Sequence, residues 1–261
     1  MKNYNLEEIA RIIEKEGKVT VSDLSRRLGV TEKTIRIYLE TLEQSQILIR
    51  THGGAIRFKQ EQSGVFPENQ TNYRMRLPQY KQDIAREALK YIKPNDSIIL
   101  DDGTTTMELA RLLGKFPVSV LTNDILIFYE LMDKTNVTLS IAGGTLHRKA
   151  LSPTIEGNDA INYVRKKHFD KVFLGVSTIN VENDSFGIFQ YGDRNMKKAF
   201  INAADQRFIL ADSVKFGKSA FRTVSRLDKI DAIITDTNIS QEFIDFFENK
   251  PTKLVIAKNH Y

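Results

Sequence analysis

Between residues 97 and 256 seven short runs rich in β-branched and aliphatic residues alternate with segments of helical spacing. The runs are Ser97-Ile98-Ile99-Leu100, Val118-Ser119-Val120-Leu121, Val137-Thr138-Leu139-Ser140-Ile141, Lys171-Val172-Phe173-Leu174-Gly175, Arg207-Phe208-Ile209-Leu210, Ala232-Ile233-Ile234 and Lys253-Leu254-Val255-Ile256. A strand that leads into a helix and then into another strand makes a crossover connection, and crossovers join parallel strands. This stretch is therefore constrained to a largely parallel, Rossmann-like α/β sheet.

The first 58 residues obey a different rule. Leu6, Ile9, Ile12 and Ile13 recur at three-to-four spacing over residues 5–16, an amphipathic helix that stops at Gly17. The segment Val19 to Val30 predicts a short helix with Leu24 and Leu28 four apart, capped at Ser22 or nearby and ended by Gly29. Thr31 then reads as the N-cap of a third helix, with Ile35, Leu39 and Leu42 along one face and Lys33, Arg36 and Glu40 elsewhere. Two short helices across a glycine-containing turn form a helix-turn-helix. Ile47 to Arg50 and Ala55 to Phe58 follow as strand-like runs joined by Thr51-His52-Gly53-Gly54, whose glycines suit a tight hairpin, so a wing is expected.

Residues 59–79 are polar, lack a period and contain prolines, which reads as a linker. The expected organisation is a winged helix-turn-helix over 1–58, a linker over 59–79 and an α/β domain over 80–261. A hydrophobic content of 41% can fill more than one core, and the formal charge of +5 is compatible with polyanions without selecting them. The chain has no cysteine, which excludes disulfides, thiolate catalysis and thiolate metal sites together and fits a reducing cytoplasm. Neither a signal peptide nor a membrane span is recognisable, so no membrane partner is expected.

A helix-turn-helix presents the start of its second helix to base edges in the major groove. Thr31, Lys33, Thr34 and Arg36 occupy that surface, while Arg50, His52 and Arg57 on or beside the wing can follow the DNA backbone. Residues 6–58 resemble the N-terminal domain of DeoR-family regulators through Val21-Ser22-Asp23-Leu24, Leu28-Gly29-Val30, Thr34-Ile35-Arg36, Leu39, Leu42-Glu43 and Arg50-Thr51-His52-Gly53-Gly54-Ala55. The chain departs from that pattern at Ile37 and Tyr38, where the family usually carries a second arginine and an aspartate. Ile37 can pack a thymine methyl and Tyr38 can hydrogen-bond a phosphate, or both can serve local packing.

In the second domain Asp101-Asp102-Gly103-Thr104-Thr105-Thr106 links a strand to an amphipathic helix. Backbone N–H groups and hydroxyls at such a helix start form an anion site, and open α/β sheets bind ligands at the C-terminal ends of their strands. Thr122-Asn123 and Gly143-Gly144 follow two other strands. Together with Lys81 to Ala85, Phe173-Leu174-Gly175, Lys197-Lys198-Ala199, Asp212 to Gly217 and Ile234-Thr235-Asp236, these motifs resemble the DeoR-type sensor domain, whose fold is related to ribose-5-phosphate isomerase and the CoA-transferase group. The resemblance implies a phosphorylated sugar effector, with Gly103, Thr104, Thr105 and Thr106 on the phosphate and Asn123, Gly143, Gly144, Asp212 and Lys215 near the sugar. Asp102 stands where the family commonly has serine, and a carboxylate there must point away from phosphate or accept sugar hydroxyls. Lys197 is carried over from the same resemblance as an effector-binding residue, although Met196, Ala199 and Phe200 suggest a packed helix whose lysines face water. Asn183 to Phe189 also lacks the family's threonine after glycine.

An isomerase-like enzyme is the first competing reading, but the acidic Asp-Gly-Ala-Asp-Glu motif of such isomerases is missing, so no catalytic residue is expected. His52, His147, His168 and His260 have no metal-ligand spacing, and neither a metal nor a cofactor is anticipated. A non-specific architectural DNA-binding protein is the second alternative. The resemblance favours a homodimer or homotetramer that binds double-stranded operator DNA of a sugar-metabolism operon, represses it, and is relieved by the phosphorylated sugar.

Overall fold

The computed structural model describes residues 2–44, 48–51, 53–57, 79–148, 153–188, 194–220 and 222–259. The chain divides into two compact units, residues 1–69 and 70–261. Ile47, His52, Phe58 and residues 59–78, nearly all of the expected linker, lie outside the described residues, as does the side chain of Arg57.

In the first unit helix α1 (Lys2–Glu16) ends at Gly17, whose φ of 76° suits glycine. A short strand β1 (Lys18–Thr20) leads directly into α2 (Val21–Leu28), and α3 (Glu32–Gln44) precedes a hairpin of β2 (Leu48–Thr51) and β3 (Gly54–Arg57). The cap of α2 is Thr20 rather than Ser22, and its hydroxyl accepts the Asp23 N–H at 3.2 Å. The sequence reading had no β1, because three residues are too few to show a period. Its partner identifies it: β1 pairs antiparallel with β3, which makes a three-stranded sheet ordered β1-β3-β2. Ile9, Ile13, Leu24, Ile35, Leu39 and Leu48 form the buried centre of this unit. The paired glycines of the hairpin do separate jobs. Gly53 takes a φ of +85°, while a Cβ on Gly54 would lie 2.1 Å from the Val19 carbonyl oxygen of β1.

The second unit opens with α4 (Gln79–Leu89), followed by β4 (Ser97–Leu100), α5 (Thr104–Leu112), β5 (Val118–Thr122), α6 (Ile125–Leu131) and β6 (Val137–Ile141). The chain then adds α7 (Asn158–Arg165), β9 (Phe169–Gly175), α8 (Arg194–Asn202), β12 (Ala204–Leu210), β14 (Ala232–Thr235), α9 (Gln241–Glu248) and β15 (Lys253–Ile256). Every neighbouring pair in the sheet β15-β14-β12-β9-β4-β5-β6 is parallel, and each of the seven runs read from the sequence lies in it. The interior strands carry uninterrupted apolar runs because helices cover both faces, and Phe173 stacks on Phe208 at 5.1 Å between ring centroids.

Two small antiparallel sheets escaped the sequence reading. One pairs β7 (Thr145–Arg148) with β8 (Pro153–Glu156), and the other joins β10 (Thr178–Asn180), β11 (Ser185–Ile188) and β13 (Arg222–Arg226). β11 is buried on both faces and contains a glycine, so it shows no alternation. From β4 the sheet grows outward to β5 and β6 on one side and to β9, β12, β14 and β15 on the other. The order reverses between β4 and β9, which opens a crevice at the carboxyl ends of these two strands.

Candidate functional site

The exposed surface of α3 in the first unit follows from the burial of its opposite face. Ile35, Tyr38, Leu39 and Leu42 point into the core, which leaves Lys33, Arg36, Ile37 and Glu40 exposed on the opposite side. Thr31 caps the helix by accepting the Thr34 N–H at 3.2 Å, and the two hydroxyls lie 2.9 Å apart. Arg36 pairs with Glu32 at 2.8 Å across one exposed turn, a bond worth only about 0.3–0.5 kcal/mol and readily exchanged for a phosphate or a base edge. Arg50 on β2 is exposed, with its N–H held by Glu43 at 2.8 Å and its guanidinium 3.9 Å from the same carboxylate. Tyr38 corrects the expectation of a phosphate contact: its side chain is 6% exposed and packs in the core, because position 38 falls on the inward face of the helix.

In the second unit the polar residues converge on the crevice between β4 and β9. Asp101, immediately after β4, is fully buried. Its Oδ2 accepts the Gly175 N–H at 3.0 Å and a hydrogen bond from Lys197 Nζ, while its Oδ1 has no partner among the described residues. Lys197 also donates to Asp102 Oδ1 at 3.0 Å. Lys197, carried over as an effector-binding residue on a helix whose lysines could equally face water, is 4% exposed, because α8 turns Met196 and Lys197 inward together. The departure at Asp102 thereby finds its partner, since the carboxylate is balanced by an ammonium.

Burial pushes the Asp101 carboxyl up to about 8, against the pull of the Lys197 ammonium and with the push of the Asp102 charge. Burial alone would lower Lys197, but the carboxylates of Asp101 and Asp102 outweigh it and hold the ammonium above the usual lysine range. On the other side of the crevice Lys81 of α4 donates to Thr104 Oγ at 2.9 Å and lies 3.6 Å from Asp212 Oδ2, after β12. Burial lowers Lys81, only partly offset by Asp212, and the nearby positive charge of Lys215 lowers it further.

Gly103 is the N-cap of α5, with φ 152°, and supplies no side-chain cap. The first N–H groups of any helix lack intrahelical partners, so those of Thr104, Thr105 and Thr106 are offered toward the crevice. Thr106 Oγ donates back to the Gly103 carbonyl at 2.9 Å and fixes the turn. A Cβ on Gly175 would sit 2.4 Å from the Asp102 carbonyl oxygen, so only glycine lets β9 approach the loop this closely. Asn123, at the end of β5, is buried with its Oδ1 unpartnered among the described residues, as is Asp212 Oδ1. Asp236 braces the turn that follows Asp212 by accepting the N–H of Ser213 at 2.7 Å and its hydroxyl at 3.0 Å.

Asp102, Gly103, Thr104, Lys197 and Asp212 are thus drawn into one linked cluster, with Asn123 on the neighbouring strand end and Lys215 in the 3-10 turn after Asp212. Gly143 and Gly144 follow β6, at the edge of the sheet, and the missing side chain of Gly144 is required by the Glu156 carbonyl, 2.6 Å from where its Cβ would stand. Three further residues belong to the cluster and were not singled out as site residues: Lys81, Asp101 and Gly175. The doubled aspartate at a strand end was the available signal for Asp101. Lys81 opens a motif already quoted for the resemblance, but its partners Thr104 and Asp212 are distant in sequence and only the fold brings them to it. No group of His, Asp or Glu able to hold a metal ion occurs among the described residues, and no described helix is long and apolar enough to cross a membrane.

A winged helix-turn-helix joined in one chain to a parallel α/β unit with a buried polar cluster at its strand ends defines a DNA-binding transcription regulator of the two-domain type. Residues 6–61 match the DeoR-like helix-turn-helix domain and residues 77–237 the DeoR C terminal sensor domain. The chain belongs to the DeoR family. It is similar to an uncharacterised helix-turn-helix transcriptional regulator of Bacillus subtilis (strain 168), YulB, with 33% identity over 95% of this chain and 94% of the relative. It is also similar to a putative aga operon transcriptional repressor of Escherichia coli O157:H7, with 30% identity over 96% of this chain and 92% of the relative. Among solved structures, ribose 5-phosphate isomerase A from Methanocaldococcus jannaschii matches 52% of this chain and 53% of its own length with a TM-score of 0.38 and 17% identity.

Proposed function

We propose that this protein represses a sugar-metabolism operon and releases its operator when a phosphorylated sugar or polyol binds at the crevice. The observation that carries the sensor half is the set of buried side-chain oxygens without partners among the described residues: Asn123 Oδ1 and Asp212 Oδ1, which can accept, and Asp101 Oδ1, which carries the proton while the raised carboxyl is neutral. An unsatisfied buried polar group costs about 1–3 kcal/mol, and these three stand at the ends of β4, β5 and β12. A ligand that relieves all of them brings several hydroxyl groups, which both donate and accept, and one that also suits the amides of Thr104 to Thr106 and the ammonium groups of Lys81 and Lys197 carries an anionic group. A phosphorylated polyol has both. We ascribe no catalytic step to the site.

On the DNA side, Thr31, Lys33, Thr34 and Arg36 face the major groove, with Arg50 on the wing. Repression is supported by the similarity to a putative operon repressor. Two copies of the chain then place their recognition helices on half-sites one helical turn apart, roughly 34–36 Å. Effector binding releases DNA only through unequal affinity for two conformations, so operator binding must weaken the effector by the same factor.

The test is thermal unfolding of the full chain with a panel of sugar phosphates, each beside its unphosphorylated counterpart. A ligand at 100 times its dissociation constant adds about 2.7 kcal/mol, a rise of roughly 5–10 °C for a unit of this size. One ester that raises the midpoint while its free sugar does not, and that also releases operator DNA, is the expected result. A panel in which no ester shifts the midpoint removes the sensor half of this reading.

A further inference from the structure

Ile37 is 52% exposed and, among the described residues of the first unit, is the large hydrophobic side chain left in solvent. Single exposed apolar residues are common, so its position has to decide what it means. At about 100° per residue, the buried residues Ile35, Tyr38, Leu39 and Leu42 point one way from the axis of α3, and Lys33, Ile37 and Glu40 form a line on the opposite side. Ile37 is the middle of that line, one turn beyond Lys33. Its backbone carbonyl accepts the Thr41 hydroxyl at 2.9 Å, an ordinary helix contact that asks nothing of the side chain. A β-branched residue at a solvent-facing helix position is also a poorer helix former than lysine, glutamate or arginine, so neither packing nor propensity accounts for it.

The apolar feature that the major groove offers is the 5-methyl group of thymine, and small apolar side chains pack against it. We propose that Ile37 reads a thymine methyl in each half-site and is a specificity-determining residue of the operator contact. The inference rests on the reading that α3 enters the major groove. It also has a consequence for the operator: the preferred duplex carries a thymine at the base step facing the middle of the helix.

The experiment uses duplexes enriched by the full-length protein from a random-sequence library. Each thymine of the enriched site is replaced in turn by uracil, which lacks only the methyl, and affinities are measured by fluorescence anisotropy at one salt concentration. At one thymine per half-site, uracil should weaken the native protein about four-fold, the equivalent of ~0.8 kcal/mol for one methyl group moved back into water. Ile37→Ala should bind the thymine duplex more weakly and show no response to uracil there, and Ile37→Val should respond in between. If Ile37→Ala responds to uracil as the native protein does at every position, the inference is overturned. Lys33→Ala/Arg36→Ala separates this from failure of the groove reading. A loss of affinity in that variant, without coupling between Ile37 and uracil, removes Ile37 alone. An unchanged affinity, or a library that enriches no sequence, removes both.

Discussion

Replacing Lys197 with methionine isolates the electrostatics of the crevice, because the two side chains have similar length and the position is buried. In the native protein the folded state holds the Asp101 carboxyl at about 8 against an ordinary value of 3.8. The unfolded chain therefore gives up this proton first, and the stability tied to it is complete below about pH 4 and is lost as pH rises through 8. Lys197 stays protonated throughout, since its own value is raised. At pH 6 Asp101 is protonated with or without the lysine, so Lys197→Met leaves only Asp102, a partly exposed carboxylate, without its ammonium, and the loss there is the smaller one. At pH 9 the native carboxylate is paired, whereas in Lys197→Met it is either uncompensated or kept protonated at a cost. The pH-dependent part of the loss is bounded by the native titration, about 1.4 kcal/mol for the one unit between 8 and pH 9, which for a unit of this size lowers the unfolding midpoint by roughly 3–6 °C more at pH 9 than at pH 6. The assay is thermal unfolding followed by circular dichroism at pH 6 and pH 9 for both proteins. A loss of equal size at the two pH values would refute the reasoning, because it would show that Lys197 acts through packing and not through the charge of Asp101.

Two glycine substitutions test the close backbone approaches, one in each unit. Gly54→Ala places a methyl against the Val19 carbonyl and should cost about 1–3 kcal/mol, lowering the unfolding temperature of the first unit and its operator affinity together; normal DNA binding and stability would show that β1 can yield. Gly175→Ala should displace the Asp102 carbonyl and with it the start of α5, abolishing the effector-induced rise in melting temperature while leaving operator affinity intact; a preserved rise would place the ligand away from this loop.

The sequence by itself determined every element whose identity is local. Seven aliphatic runs separated by segments of helical spacing specified the parallel sheet, since a run covered on both faces needs only its own residues to be recognised. The period of Ile35, Leu39 and Leu42, the cap at Thr31 and the stop at Gly29 likewise located the helix-turn-helix, and Gly103 to Thr106 marked the start of α5. Tertiary structure alone decided what depends on adjacency. The partnership of Asp101 with Lys197 exists because the strand order reverses between β4 and β9 and α8 turns its lysine inward; Lys81 meets Thr104 and Asp212 because α4 lies over the same strand ends. The inward place of Tyr38 already followed from the period of Ile35, Leu39 and Leu42, whereas Gly54 was required by a strand, β1, too short to announce itself. Hydrophobic periodicity is encoded in a few neighbouring residues, whereas the meeting of buried charges is set by which strands lie side by side, and in this chain that order appears only when the sheet has formed.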